Sequence, residues 1–126
     1  MKIILQVLTG GRAGEIAEYR EKDLITIGRE HSPGKKSNDL DFDHRKDVAA
    51  SRIHCQLVAT EAGYVLFNKN PKNVTYLNGI SKIQTLVSDN DIIKCGKNGP
   101  KVKIRIYDNN PILARKSAKP IVEKEN

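Results

Sequence analysis

The sequence predicts an all-β domain, a β-sandwich of two packed and mostly antiparallel sheets. Short apolar runs bounded by Gly, Asn, Asp and Pro recur along the chain at the spacing typical of such folds, and helical periodicity is almost absent. The 126 residues suit one domain with a modest core. Because aromatic residues make up only 5% of the chain and Trp is missing, we expect a mostly aliphatic interior.

The first strands are indicated by alternation and by turn residues. Apolar residues alternate over residues 3–7, which predicts the first strand. A Gly-Gly-Arg turn at residues 10–12 leads into a second strand over 14–20, and a third strand follows over 24–27. We expect these runs to open the sandwich.

Two further runs are joined by a short turn in the middle of the chain. Ile53, Cys55, Leu57 and Ala59 alternate onto one face of a predicted strand. Residues 64–67 form its return arm after a Glu-Ala-Gly turn. This pair therefore predicts a central piece of one sheet.

The second half of the chain contains the clearest strand. In residues 101–107, three β-branched residues face one way and basic or aromatic residues face the other, so we expect one buried and one solvent-facing side. Shorter runs over 74–77, 81–83 and 91–95 predict three more strands. With a short strand in residues 39–43 the total is about ten, which is enough for two packed sheets.

Residues 30–50 form the longest connector, and long loops in compact domains are often functional. Their acidic spacing lacks the glycine and the terminal glutamate of a calcium loop, so we expect no metal site and interpret the segment as charged and solvated. The residues of the connector that could serve as metal ligands are Asp39, Asp41, Asp43, His44 and Asp47.

The folded domain is expected to span residues 1–108, and the Lys-rich residues 109–126 are interpreted as a linker or disordered tail. No apolar run approaches the roughly 18 residues of a membrane span, and the N-terminus does not resemble a secretory signal. We therefore expect a cytoplasmic protein without a membrane partner. Cys55 and Cys95 lie in apolar runs, which favours two buried thiols over a disulfide.

The net charge of +7 favours an anionic partner. A phosphopeptide, a nucleic acid and a membrane surface all fit this charge. The charge by itself does not choose among them, and solubility alone would justify much of it.

Three short motifs contain groups that bind phosphate. Gly28 is expected to let the backbone turn at a strand end, so that the planar fork of Arg29 projects from the sheet rim. Ser51 adds a hydroxyl, and Asn73 adds an amide that can align a peptide. Taken alone, each motif favours a structural explanation, such as a surface arginine or an asparagine that satisfies a turn. Their order and spacing together predict a phosphate-binding surface.

The chain resembles the forkhead-associated (FHA) domain family over about residues 3–107. The resemblance rests on Gly-Arg at 28–29, Ser-Arg-x-His at 51–54 and Asn-x-Thr-x-Leu-Asn-Gly at 73–79. It implies a sandwich of about eleven strands. In this family the loops at one end bind phosphothreonine in an extended peptide, without catalysis and without a cofactor.

The resemblance also implies roles for particular residues. Arg29 and Ser51 would hold the phosphate, with Arg52 assisting from the same loop. Asn73 would bond the peptide backbone, and Lys72 occupies a further contact position. The implied partner is a Thr-phosphorylated protein or peptide, such as a Ser/Thr kinase or its substrate, and the chain would act as a monomeric adaptor in kinase signalling.

Other motif residues would support the site rather than touch the ligand. By the resemblance these are Gly28, His54, Thr75 and Asn78. The family usually has Gly where this chain has Val74. If that position required a positive φ, valine would be strained there, so we expect the loop to follow a different path.

Two other classes of function are less favoured. A basic β-barrel that binds nucleic acid would interleave aromatic and basic residues, and only Tyr107 lies clearly within a basic strand face. A hydrolase could use Ser51 and His54, but the serine lacks the Gly-x-Ser-x-Gly elbow. We therefore expect a binding module and not an enzyme.

Overall fold

Eleven strands and no helix make up residues 1–107, the part of the chain that the computed structural model describes. The prediction of an all-β sandwich is confirmed. In chain order the strands are β1 Lys2–Val7, β2 Ile16–Arg20, β3 Leu24–Arg29, β4 Leu40–Phe42, β5 Cys55–Thr60, β6 Gly63–Asn68, β7 Thr75–Leu77, β8 Ile80–Lys82, β9 Gln84–Leu86, β10 Ile92–Cys95 and β11 Lys101–Tyr107.

The strands form two sheets. The six-stranded sheet has the order β2-β1-β11-β10-β7-β8, and the five-stranded sheet has the order β4-β3-β5-β6-β9. All the described pairings are antiparallel except that of β3 with β4. These two are parallel because residues 30–39 lead the chain back to the level of Ile27, which pairs with Leu40 at the start of β4. The chain passes between the sheets several times, so loops from both sheets meet at the same rim.

The core lies between the two sheets and is mostly aliphatic, as the composition indicates. Along each main strand the buried residues alternate with half-buried or exposed ones, which is the pattern of a sheet with one covered face. The fully buried side chains include Ile3, Leu5, Ile25, Ile27, Leu57, Tyr64, Leu66, Ile93 and Ile104.

Cys55 and Cys95 lie in this core, one in each sheet. Both side chains are buried, and their Sγ atoms are 3.9 Å apart, which is too far for a disulfide bond. The neighbouring thiol and burial raise the pKa of Cys95 well above its ordinary value. The prediction of two buried thiols is confirmed.

Several strand predictions need correction. The run predicted at 81–83 lies one residue earlier, in β8, and β9 was not predicted because Gln84–Leu86 shows no clear alternation. Ile53 was predicted to point into the core with Cys55, but its residue is 48% exposed and precedes β5. The backbone leaves the extended strand path at that point, so the alternation does not continue backward from Cys55.

Gly28 also has a different role from the predicted one. The strand β3 continues through Arg29, and the backbone does not turn at Gly28. A Cβ atom at this position would lie 2.1 Å from the carbonyl oxygen of Arg52. Glycine is therefore needed because the β4–β5 loop passes directly against the strand.

The connector is less solvated than predicted. Asp41 and Asp47 are buried, with residue exposures of 7% and 5%. Asp41 accepts bonds from the backbone N–H groups of Ser37 and Asn38, at 2.8 and 2.9 Å. The Asp47 carboxylate accepts from the N–H of Gly11 in the β1–β2 loop, at 3.0 and 3.2 Å, and from the N–H of Asp43 in its own connector, at 2.9 Å. These carboxylates hold loop backbone in place, and within residues 1–107 no three potential metal ligands come together.

Strands β7 and β8 are joined by a two-residue turn. Asn78 and Gly79 both have positive φ, 51° and 85°, which defines the type I′ turn preferred in tight hairpins. Asn78 also bonds Asp91 and the N–H of Ile92, both at 2.9 Å. The turn is thereby attached to the start of β10.

The predicted tail, residues 109–126, lies outside the described residues. Within residues 1–107 no helix is long and apolar enough to span a bilayer.

Replacing Gly28 with Ala should lower the free energy of unfolding by about 3 kcal/mol, the upper end of overpacking costs, because the obstructing atom is backbone and cannot rotate away. Urea unfolding measures this change. Thr26→Ala, two residues earlier on the same strand face, is the matched control and should stay within about 1 kcal/mol of the parent. Equal stability of the two variants would contradict the close approach.

Candidate functional site

Three segments that are distant in sequence are joined at one rim of the sandwich. The N–H of Arg29 donates to the carbonyl of Ser51 at 2.9 Å, which ties the end of β3 to the β4–β5 loop. The N–H of Lys69 donates to the carbonyl of His54 at 2.9 Å, which ties that loop to the β6–β7 loop. The phosphate-binding motifs predicted from the sequence are thus brought together.

Arg29 is held by two carbonyls of the β4–β5 loop and still has donors without a partner in residues 1–107. Its Nε donates to the carbonyl of Ala50 at 3.0 Å, and its Nη1 donates to the carbonyl of His44 at 3.3 Å. A guanidinium has five N–H groups, so three of them have no partner among residues 1–107. The planar fork is therefore oriented in advance, with donors left for an anion.

Ser51 is framed by two asparagine side chains. Its Oγ accepts from Asn70 Nδ2 at 3.0 Å and from Asn73 Nδ2 at 2.9 Å. A hydroxyl has two lone pairs and one hydrogen, so both acceptor positions are used and only the O–H donor remains. The network thus presents Ser51 to a ligand as a donor.

Asn73 bonds mainly to the protein itself. Its second amide hydrogen donates to the carbonyl of Ala49 at 2.9 Å, so both of its N–H groups are used inside the protein. Its Oδ1 accepts only from the N–H of Val74, at 3.0 Å. Asn73 therefore positions Ser51, and only its oxygen retains capacity for a further bond.

His54 connects the two loops that form the rim. It is fully buried, its Nδ1 accepts from the N–H of Ser51 at 3.0 Å, and its Nε2 donates to the carbonyl of Val74 at 2.8 Å. These partners require the neutral imidazole with hydrogen on Nε2, because an imidazolium cannot accept a bond. Burial lowers the pKa of His54, and the bond to Val74 opposes this shift in part.

Thr75 supports the same rim through a residue that the sequence did not single out. Its hydroxyl donates to Asn68 Oδ1 at 2.8 Å, and Asn68 Nδ2 donates to the carbonyls of Asn70 and Asn73 at 3.1 and 2.9 Å. Thr75 is completely buried. This arrangement fixes the path of the β6–β7 loop and with it the two asparagines that hold Ser51.

Val74 is accommodated without strain. It is not among the non-glycine residues with positive φ in the described chain, so its backbone lies in an ordinary region. Its carbonyl accepts from His54 and also from the N–H of Gly96, at 2.9 Å. The contribution of this position is its carbonyl oxygen, which glycine and valine share.

Asn38, from the long connector, fixes the backbone of Arg52. Its Nδ2 donates to the carbonyl of Arg52 and to Asp41 Oδ1, both at 2.9 Å. The Asp41 carboxylate in turn holds the connector, as described above. The connector therefore supports the site by fixing the backbone of Arg52. The Oδ1 of Asn38 is buried and has no hydrogen-bond partner in residues 1–107.

Arg29, Ser51 and Asn70 line an open cleft of about 720 Å³, whereas Asn73 and His54 do not line it. The side chains of Arg29, Arg52 and Lys69 give it a positive character, and within the described residues no carboxylate lines it. The lining residues are Arg29, His31, Ser51, Arg52, Ile53, Lys69, Asn70 and Pro71.

The cleft contains some predicted residues and lacks others. Lys72 is exposed and does not line it, whereas Lys69 does. Asn78 lies at the opposite end of β7 from Asn73, and its bonds support the β7–β8 turn instead of the rim. Asn70 was missed because an asparagine beside a proline indicates only a turn, and nothing in the sequence shows which way its amide points.

A two-sheet sandwich with a cationic cleft built from end loops is the arrangement of a binding module of the FHA type. The sequence model of the FHA domain matches residues 25–96, more than half of the chain. The chain therefore belongs to the FHA domain family.

Solved FHA domains have a similar fold. The N-terminal FHA domain of Rad53p from S. cerevisiae, in complex with a phosphothreonine peptide, is 21% identical with a TM-score of 0.68, covering 86% of this chain and 95% of that one. An FHA domain of a hypothetical protein from Arabidopsis thaliana is 19% identical with a TM-score of 0.70, covering 86% and 88%. No curated protein matches the chain.

Acidification should destabilise the domain through His54. The pKa of its buried imidazole is below the ordinary value of 6.5, so between the folded and unfolded pKa values the unfolded chain binds more protons. Above about pH 6.5 the titration of His54 does not lower the free energy of unfolding, and below that pH the free energy of unfolding decreases as the pH falls.

Urea unfolding between about pH 7.5 and 5 measures this dependence. In His54→Gln the decrease in unfolding free energy toward low pH should be smaller than in the parent. His31→Gln, at an exposed histidine, is the control and should keep the parent profile. An unchanged profile in His54→Gln would contradict the proposed neutral bridge.

Proposed function

We propose that the cleft binds phosphothreonine-containing peptides and that the chain acts as a non-catalytic adaptor in Ser/Thr kinase signalling. The observation that supports this most directly is the convergence of unused donors from Arg29 and Ser51 on a cleft without carboxylates in the described chain. The complex of the Rad53p domain with a phosphothreonine peptide is in line with this proposal.

The donors match a phosphate monoester in number and charge. A phosphothreonine has a charge of about −1.5 to −2 at pH 7 and three acceptor oxygens. Arg29 offers three N–H groups and Ser51 one O–H, while Arg52 and Lys69 add positive charge from the cleft wall. A carboxylate has one charge and planar geometry, so it would satisfy fewer of these donors.

An extended peptide would also meet Asn73. Its amide hydrogens are used for Ser51 and Ala49, so a bond to the peptide backbone would go from a peptide N–H to Oδ1. Lys72, exposed on the neighbouring loop, would contribute charge at a longer range.

The contacts of His54 argue against its acting as a general base for Ser51. His54 Nδ1 bonds the backbone N–H of Ser51 and not its hydroxyl, and Nε2 is bonded to Val74. A buried imidazole with both nitrogens engaged cannot remove the hydroxyl proton. This supports a binding role for the serine.

The partner class follows from this chemistry. We propose a Thr-phosphorylated protein, such as a Ser/Thr kinase or its substrate, bound by a monomer in the cytoplasm. Two buried cysteines kept as free thiols are compatible with a reducing compartment.

Removing the Arg29 fork should weaken binding of a phosphothreonine peptide by roughly 10- to 150-fold, corresponding to about 1.5–3 kcal/mol for bonds to a charged group. Fluorescence anisotropy with matched phosphorylated and unmodified library peptides measures the Kd. Arg20→Ala removes the same charge from exposed β2 and should leave the Kd nearly unchanged. Equal binding of modified and unmodified peptides, or an unaffected Arg29→Ala, would rule out the proposal.

A double-mutant cycle tests the orientation of the Ser51 hydroxyl. Asn70→Ala should weaken phosphopeptide binding about fivefold, near the 1 kcal/mol of one hydrogen bond, because Ser51 Oγ loses a donor that orients it. In a Ser51→Ala background the same change should have almost no further effect. If the two losses simply add, Asn70 acts elsewhere and not through the hydroxyl.

A further inference from the structure

The outward side of the six-stranded sheet is strongly basic. The strand register places alternate residues of β2, β1, β11 and β10 on this side, away from the core. Six cationic side chains lie there, and we call this surface the basic face: Lys2, Arg20, Lys94, Lys101, Lys103 and Arg105.

The cations of the basic face are closely spaced. Lys101, Lys103 and Arg105 alternate along β11, so the Cα atoms of successive basic residues are about 6.8 Å apart along the strand. Lys94 lies directly opposite Lys101 in the register. Like charges in that position destabilise a sheet, so the pair is not explained by folding stability.

Within residues 1–107, four of the six cations lack a carboxylate partner. Arg20 is paired with Glu18 at 2.7 Å, and Arg105 with Asp89 at 3.0 Å. Within residues 1–107, no carboxylate oxygen lies within 4.0 Å of the ammonium groups of the four lysines. The charge of the basic face is therefore largely uncompensated by the described chain.

The other sheet lacks this feature. Among the paired residues of its outward side there is no lysine or arginine in the described chain, and one cross-strand row consists of Leu24, Val58, Val65 and Leu86. A charge excess serving solubility alone has no reason to favour one sheet over the other. The separation of charge indicates a specific surface.

The two tyrosines of the basic face are covered by cations. Lys94 Nζ lies 4.4 Å from the ring centroid of Tyr76, while Lys2 Nζ and Arg105 Cζ lie 4.8 and 5.6 Å from that of Tyr107. Base stacking on an aromatic ring needs a free ring face. The surface thus presents charge and offers little for bases.

We propose that the basic face binds the phosphodiester backbone of nucleic acid, independently of base sequence. Both arginines of the basic face are bonded to the protein's own carboxylates. The cations without a carboxylate partner in the described chain are all lysines, which bind phosphates as point charges. An array of lysines at regular spacing on one sheet face suits the regular charge of a nucleic-acid backbone. The basic face shares no residue with the cleft lining, so this site does not depend on the phosphopeptide site.

The test uses the full chain and a fluorescein-labelled DNA duplex of about 20 base pairs, with binding followed by anisotropy from about 50 to 200 mM salt. Four lysine contacts predict a log Kd against log salt slope of about 3.6, from roughly 0.9 per contact. The variant Lys94→Gln, Lys101→Gln, Lys103→Gln should reduce the slope by about 2.7. Its thermal unfolding should change little, because the variant removes both the Lys94–Lys101 repulsion and the favourable contact of Lys94 with the Tyr76 ring.

The matched control removes the same charge from three exposed lysines of the connector, as Lys35→Gln, Lys36→Gln, Lys46→Gln, and should keep the parent slope. Two duplexes of unrelated sequence should bind equally. The proposal is overturned if no binding occurs at about 50 mM salt, or if both triple variants lose affinity equally. It is also overturned if polyglutamate or phosphatidylserine vesicles bind the basic face more tightly than DNA does.

Discussion

The site depends on the two hydrogen bonds of the buried His54 imidazole. It accepts from the backbone of Ser51 and donates to the carbonyl of Val74, which also accepts from Gly96. One uncharged ring thus joins the loop that bears the serine to the loop that bears the asparagines, and both to the end of β10. Because the ring must accept at one nitrogen and donate at the other, only its neutral form fits.

Asparagines complete what the histidine begins. Asn38, Asn68, Asn70 and Asn73 use their amides to fix the backbone and the hydroxyl that surround the cleft. An amide donates and accepts without a charge, so these residues organise the loops and add no negative potential where an anion would bind. The buried carboxylates of Asp41 and Asp47 are turned to backbone N–H groups instead.

The strands were largely predictable because a sheet with one buried face imposes a period of two on its residues. The prediction was wrong at Ile53, where the chain leaves the strand, and it missed β9, where Gln84–Leu86 lacks alternation. The sequence correctly indicated that glycine is needed at position 28, but the predicted reason, a backbone turn, was wrong. Its need for glycine comes from Arg52, 24 positions later in the sequence, and no local pattern reveals such an approach.

The sequence by itself determined the sandwich, the position of Arg29 at a strand end and those of Ser51 and His54 in the segment before the next strand. Alternation along a strand and the residue types of a short motif can both be seen in a local stretch of sequence. Only the tertiary structure decided which hydrogens remain free for a ligand. It turned the amide of Asn73 inward and placed Lys69, not Lys72, in the cleft. It likewise set the register that gathers lysines from separate strands on one face. Hydrogen-bond direction and strand register depend on partners far apart in the chain, so they are set only when the two sheets pack together.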